Sequence, residues 1–119
     1  MIYWWKCSER TEKVTLNEYQ KLAMRTAPKS GIESHALHLL SAEVGELHGI
    51  YQKRIQGHTD TDEHRLKELG DILWGVAEYA TSQGWNLDDV AMVNIEKLKA
   101  RYPDGFDTEH SLHRRKGDI

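Results

Sequence analysis

The chain has 119 residues, of which 29% are charged and 39% hydrophobic, as expected of one globular domain and not of a disordered segment. The formal net charge of -3 argues against nucleic-acid binding, and no apolar run approaches the roughly 18 residues of a membrane span. The single cysteine, Cys7, excludes an intrachain disulfide framework and fits a reducing compartment. We therefore expect a cytoplasmic protein whose partners include neither nucleic acid nor membrane.

The first part of the chain predicts an arm followed by a helix. Residues 1–14 are aromatic at first and then polar, and we interpret them as an N-terminal arm. Thr15 and Glu18 form a capping box, in which each side chain can bond a backbone N–H of the other residue. The helix that follows runs to about Thr26, because Pro28 disfavours helical backbone before it.

Two longer helices are predicted next. The second helix begins at Gly31 or Ser34 and continues to about Gln56, where a glycine follows. A polar loop separates it from the third helix, and residues 59–62 offer several N-cap candidates. The third helix extends to about Gln83, and again a glycine follows.

The last predicted helix is capped by Asn86 with Asp89. Residues 102–106 contain proline and glycine and predict a turn, and residues 107–119 form a polar C-terminal tail that is expected to be mobile or to lie on a neighbouring subunit. No period-2 alternation competes with the helical pattern. The sequence therefore predicts an all-α four-helix bundle over residues 15–106.

Two similar acidic motifs dominate the chain. Glu43-Val-Gly-Glu46-Leu lies in the second helix and Glu68-Leu-Gly-Asp71-Ile in the third, and carboxylates three residues apart project from nearly the same side of a helix. Four carboxylates held together away from water need protons or a cation. All-oxygen ligation favours Mg²⁺, with Mn²⁺ as a possible substitute. The alternative is a set of solvated acids on amphipathic helices.

Apolar residues beside these acids predict how the helices pack. A stripe on each of the two acidic helices is expected to form the core between them, and the stripes comprise Leu37, Leu40, Val44, Leu47 and Tyr51 on one helix and Leu66, Leu69, Leu73, Val76 and Ala80 on the other. A second face of the third helix carries small residues around one large aromatic, namely Gly70, Trp74, Ala77 and Thr81. This second face predicts another helix–helix contact, part of it between subunits.

Further candidates for binding lie outside the acidic motifs. Asn94, Lys97 and Arg101 recur on one side of the fourth helix, where they form either a solvated edge or a clamp for phosphate oxygens. The seven histidines include none three residues after a glutamate, so a diiron carboxylate centre is disfavoured and we assign them to the surface or the surroundings of a site. A nucleobase could be met by Tyr19, Gln20 and Trp85, for which ordinary packing is the alternative.

The paired motifs resemble those of the MazG-like, all-α nucleoside triphosphate pyrophosphohydrolases. The likeness covers roughly residues 15–106, from Leu16-Asn-Glu-Tyr-Gln-Lys-Leu-Ala23 to Asn94-x-x-Lys97-Leu-x-x-Arg101-Tyr-Pro-Asp-Gly-Phe106, in a single-domain form. The resemblance implies Mg²⁺-dependent hydrolysis of (d)NTPs to the monophosphate and pyrophosphate by a homodimer or homotetramer. It also implies metal binding by Glu43, Glu46, Glu68 and Asp71, and phosphate binding by Asn94, Lys97 and Arg101.

Chemistry suggests that a carboxylate, Glu43 or Glu46, deprotonates the water that attacks the α-phosphorus. The spacing of the acids does not decide between the two. Other functions remain open: a non-catalytic helical module that binds Mg²⁺ or a basic partner, and hydrolysis of a related pyrophosphate such as phosphoribosyl-ATP or an alarmone.

Overall fold

The structure is a computed structural model and describes residues 13–115 and 117–118. It confirms the predicted all-α class, and these described residues contain four substantial helices and a short fifth one. Almost all of the predicted N-terminal arm lies outside the described residues. The helices are α1 (Leu16–Ala23, continued by a 3-10 turn over Met24–Thr26), α2 (Ile32–Ile55), α3 (Asp62–Ser82), α4 (Leu87–Arg101) and α5 (Thr108–Leu112).

Side-chain caps fix the beginnings of three helices where the sequence predicts them. Thr15 Oγ1 accepts a hydrogen bond from the backbone N–H of Glu18 at 3.1 Å, and Asn86 caps α4 in the same way. Thr61, one of several candidates, caps α3 by accepting from the N–H of His64 at 3.1 Å. Each cap satisfies an N–H that the helix itself leaves without a partner.

Helix α2 has no side-chain cap and is bounded by glycines. Gly31 precedes it with φ 69° and Gly57 follows it with φ 95°, both in the left-handed region that side chains with a Cβ rarely adopt. The loop from α2 to α3 is tied by Asp60, whose carboxylate accepts from Arg54 on one side and from Arg65, at 2.7 Å, on the other. The loop thus turns the chain back and makes α2 and α3 antiparallel neighbours.

Gly75 of α3 lies against two leucine side chains of α2. A Cβ built on this residue would lie 2.8 Å from Leu40 Cδ2 and 2.9 Å from Leu39 Cδ2, so these side chains would have to shift to make room for it. Ala36 and Ile50 are also buried on α2. The missing side chain at Gly75 therefore leaves space for both leucines between the two helices that carry the acidic motifs.

Helix α1 packs on the second face of α3. The Trp74 indole donates to the carbonyl of Ala23 at 3.1 Å and to Thr26 Oγ1 at 2.9 Å, while Ala77 is fully buried. Thr81 contacts Gln20 of α1 through a hydrogen bond of 2.9 Å. The predicted helix contact on this face is confirmed, and the partner that the structure shows for it is α1 of the same chain.

The predicted core stripes are corrected by the structure. Several of their members are exposed in the protomer, including Tyr51 at 50% and Leu69 at 56%, together with Leu37, Val44, Leu66 and Leu73. The buried apolar residues of the described chain are Ala36, Ile50, Ala77, Ala80 and Leu87. Among the stripe residues Ala80 is buried and Leu40, Leu47 and Val76 are half-buried, so the predicted stripes are covered only in part.

The C-terminal tail is more ordered than its polar composition predicted. Gly105, with φ 88°, turns the chain between α4 and α5, and Asp107 caps α5 by accepting from the N–H of His110 at 2.7 Å. Asp118 then returns to α4 and forms a two-pronged ion pair with Arg101, with distances of 2.6 and 2.7 Å. Within the described residues, no helix combines the length and apolar character that membrane spanning requires.

Candidate active site

Three of the four predicted acids converge between α2 and α3. Glu43 on α2 and Glu68 and Asp71 on α3 each offer a carboxylate oxygen, and these oxygens all lie within 4.8 Å of one another. The convergence arises because Glu68 and Asp71 share one side of α3, and the antiparallel hairpin brings Glu43 opposite them. Glu43 and Glu68 are half-buried, whereas Asp71 is exposed.

The electrostatics of this cluster centre on Glu43. The pKa of the Glu43 carboxyl is raised, and burial is the largest cause. The smaller causes are the negative charges of Asp71 and Glu68, a hydrogen bond with Glu68 and the charge of Glu46. All these causes oppose the ionised form, so a positive charge among the carboxylates would relieve them. The donor set is entirely oxygen, which suits a hard divalent cation such as Mg²⁺ or Mn²⁺.

The fourth predicted acid, Glu46, lies outside the group of three. It is exposed one turn farther along α2, yet its charge contributes to the raised pKa of Glu43. Glu46 is therefore near the cluster and faces water. A carboxylate in this position is available to accept a proton.

A histidine adjoins the cluster from its own helix. His64 Nε2 lies 3.2 Å from Glu68 Oε1, one turn away on α3, and its side chain is exposed. Partners of this kind orient ligating carboxylates in metal sites. His64 thus belongs to the surroundings of the site, as the sequence analysis expects of its histidines.

The three candidates for base contact have different environments. Burial and then the charge of Asp71 raise the pKa of the Tyr19 phenol, so Tyr19 lies within electrostatic reach of the cluster. The Gln20 amide is buried and bonded to protein groups, among them the carbonyl of Trp85 and the N–H of Leu87. Trp85 is half-exposed and packs edge-on against Tyr79.

The candidates for phosphate contact lie on α4. Asn94 and Lys97 are exposed, and Arg101 is half-buried and paired with Asp118. The pKa of Asp118 is lowered, chiefly by its hydrogen bond with Arg101 and also by the charge of Lys97. The structure thus groups the two cations, but Arg101 already has a carboxylate partner.

A contact between a buried carboxyl group and a histidine was not predicted from the sequence. Glu78 is fully buried, and its Oε1 lies 2.6 Å from His35 Nδ1, which connects α3 to the first turns of α2. The His35 ring also meets the Trp74 ring edge-on, with centroids 6.0 Å apart. The sequence shows that Glu78 follows Asp71 by seven residues and so shares its side of α3, but this position does not identify His35 as its partner.

These features describe a helical protein with three converging carboxylates that could hold a metal ion, near a half-buried tyrosine. The chain belongs to the MazG nucleotide pyrophosphohydrolase domain family, whose model matches residues 32–106. The match begins with α2 and ends at the turn after α4, so it contains all four acids and leaves α1 outside. Comparisons with curated proteins and with solved structures gave no match.

Proposed function

We propose that this protein is a Mg²⁺-dependent pyrophosphohydrolase that converts (d)NTPs to (d)NMPs and pyrophosphate, in nucleotide pool control or house-cleaning. The observation that carries the proposal is the convergence of Glu43, Glu68 and Asp71 within 4.8 Å in a chain of this family. These three carboxylates would hold the cation. When bound, Mg²⁺ supplies charge neutralisation for the phosphates and lowers the pKa of water; Mn²⁺ is the expected substitute.

Glu46 is the group to which we assign the proton transfer. A water oxygen bonds to the α-phosphorus, the bond from that phosphorus to the bridging oxygen breaks, and pyrophosphate leaves with the bonding electron pair. The proton of the water passes to the Glu46 carboxylate. Glu46 suits this role better than Glu43, because it is exposed and outside the group of three oxygens.

The phosphates of the substrate are assigned to Asn94, Lys97 and Arg101. An amide, an ammonium and a guanidinium on one helix can all donate to phosphate oxygens, and the guanidinium can donate two parallel bonds. Because Arg101 is paired with Asp118, a phosphate at this site has to take the place of the Asp118 carboxylate. Tyr19 is the strongest of the three candidates for the sugar or base, since it lies near Asp71.

The protein is proposed to act as a homodimer or homotetramer. The exposed apolar stripes of α2 and α3 would pack on a second copy of this chain, which would supply the cover that the protomer lacks. The cytoplasm is the proposed location, since the sequence has one cysteine and a disulfide framework is excluded.

The test is a substrate panel with Mg²⁺, comprising the four NTPs, the four dNTPs, phosphoribosyl-ATP and a guanosine alarmone, with products identified by ³¹P NMR. Release of monophosphate and pyrophosphate from NTPs supports the proposal, and ¹⁸O from labelled water should appear in the monophosphate. Exclusive cleavage of phosphoribosyl-ATP or the alarmone would move the protein to that substrate. Binding of Mg²⁺ without turnover of any compound would indicate a non-catalytic module.

A further inference from the structure

The acidic cluster is one end of a series of contacts between α2 and α3. The first contact brings Glu43 close to Asp71, and the second packs Leu39 against Gly75. The third contact is the pair of His35 and Glu78. Residues 43, 39 and 35 follow at intervals of four on α2, while 71, 75 and 78 keep one side of α3. Along α2, the ion pair lies about 12 Å from the cluster.

The ion pair has features that packing alone does not explain. The Glu78 side chain is 0% exposed, and its Oε2 is buried without a hydrogen-bond partner among the described residues. A buried carboxylate with one unsatisfied oxygen opposes folding, and an apolar side chain of similar volume would fill the space without that cost. What Glu78 does in the structure is hold the His35 ring, through the contact of its Oε1 with Nδ1 at 2.6 Å.

His35 is the part of the pair that faces water. Its side chain is 43% exposed, while Nδ1 is held by Glu78 and the ring is held edge-on by Trp74. Trp74 is itself fixed by its bonds to Ala23 and Thr26. Because His35 Nδ1 is bonded to Glu78, the Nε2 edge of the oriented ring remains available for a ligand. Carboxylates orient histidines in the same way at metal sites.

We propose that His35 contacts the nucleobase of the substrate and that Glu78 is the residue that positions it. The inference rests on the proposed function, which places at the acidic cluster the cation that neutralises the phosphates. A nucleotide that extends from there along α2 presents its uncharged half two turns farther on. A flat heterocycle suits this end of α2, because the aromatic rings of His35 and Trp74 lie there in edge-on contact.

The main test replaces the pair by apolar side chains of similar size, in the double variant His35→Phe with Glu78→Leu. We expect it to fold, because removing both charges leaves no unpaired buried group. For the preferred nucleotide of the panel KM should rise about tenfold, as expected for one lost hydrogen bond, with a smaller change in kcat. The preference among bases should flatten.

A matched control replaces the exposed pair of His113 and Glu109, whose side chains lie 3.4 Å apart, by glutamine at both positions.

The single variant Glu78→Gln keeps an acceptor for His35 Nδ1 and should have most of the base preference of the wild-type protein. If the double variant does not fold, Glu78→Gln and His35→Gln decide the question in the same assay: a changed base preference in His35→Gln supports the proposal, and unchanged preferences in both overturn it.

The outcomes separate this inference from the proposed function. A wild-type protein that hydrolyses no nucleotide overturns both. A wild-type protein that is active, with a double variant that keeps the wild-type KM and the wild-type order of bases, overturns only the role of His35. Flattened base preference with unchanged Mg²⁺ affinity supports it, because a merely structural pair would not affect the ranking of bases.

Discussion

At the scale of single residues, Glu46 and Asp71 represent two different kinds of carboxylate in one site. Asp71 belongs to the three acids whose oxygens converge, whereas Glu46 is exposed beside them. Both lie in the motifs that the sequence singled out, but the spacing of the motifs gives them equivalent positions. The structure distinguishes them, and this leads to different predictions for their amides.

Glu46→Gln should lower kcat by about 100-fold or more, since general-base catalysis contributes about 10²–10⁴-fold. Mg²⁺ affinity, measured by calorimetry, should change little, because the three converging carboxylates remain. Asp71→Asn should instead weaken Mg²⁺ binding as well as turnover. Near wild-type turnover of Glu46→Gln at saturating Mg²⁺ would exclude Glu46 as the proton acceptor.

Glu43 should make the effect of Mg²⁺ on stability depend on pH. The pKa of the Glu43 carboxyl is raised above 4.5, so the folded protein holds the carboxyl proton more tightly than the unfolded chain does. The contribution of Glu43 to the stability of the metal-free fold therefore increases as the pH falls through the raised pKa. A proton there also competes with the cation. We therefore expect the rise in Tm on adding Mg²⁺ to be largest at neutral pH and to shrink as the pH falls toward 4.5.

The variant Glu43→Gln provides the control for this titration. Without the Glu43 charge the metal-free Tm at neutral pH should rise, and the Mg²⁺-dependent increment should fall at every pH. Thermal scans by circular dichroism across that range measure both effects. An increment of equal size at pH 5 and pH 8 in the wild-type protein would show that Glu43 is not among the cation's ligands.

At the scale of helices, the spacing of α2 and α3 decides whether the acids meet. Gly75→Ala places a methyl group 2.8 Å from Leu40 Cδ2, so the Leu39 and Leu40 side chains must shift, and overpacking costs up to about 1–3 kcal/mol. We expect part of this strain to separate α2 from α3, which should weaken Mg²⁺ binding by moving Glu43 away from α3. Denaturant unfolding and calorimetry measure the two effects.

Gly49→Ala is the matched control for this prediction. Gly49 lies within α2, and a Cβ there meets no other atom within 4 Å. Alanine has the higher helix propensity, so the control should gain up to about 1 kcal/mol of stability and keep its Mg²⁺ affinity. If both glycine variants behave alike, close packing at Gly75 is not what holds the acids together.

Helices and their ends were predictable from local signals, whereas helix partners were not. Thr15 and Asn86 were identified as caps because capping depends on residues three positions apart. The pairing of His35 with Glu78 and the binding of Asp118 by Arg101 join distant parts of the chain, and no local pattern encodes them. For the same reason the acids could be recognised as a group, but not divided into three that converge and one beside them.

At the scale of the whole molecule, much of the apolar surface of α2 and α3 is exposed among the described residues. The buried apolar residues there are mostly small, with three alanines beside Ile50 and Leu87, whereas larger residues of the two helices remain exposed. Exposed apolar surface is typical of interaction sites and is the basis of the proposed subunit interface. Sequence periodicity could not predict this exposure, because a core face and a face at the proposed interface would show the same pattern.

In the proposed oligomer, Leu69→Asp should dissociate the subunits. Leu69 is 56% exposed in the protomer, so the substitution is tolerated there, but at a subunit interface it would bury an unpaired carboxylate. Sedimentation velocity should show that the dissociation constant of the subunits rises by about 100-fold. The Tm should fall and should depend on protein concentration, because unfolding is linked to dissociation.

The control is Leu112→Gln. Leu112 is 71% exposed on α5, away from the stripes, and this variant should sediment like the wild-type protein. A wild-type protein that sediments as a monomer at micromolar concentration would rule out the stripes as a subunit interface.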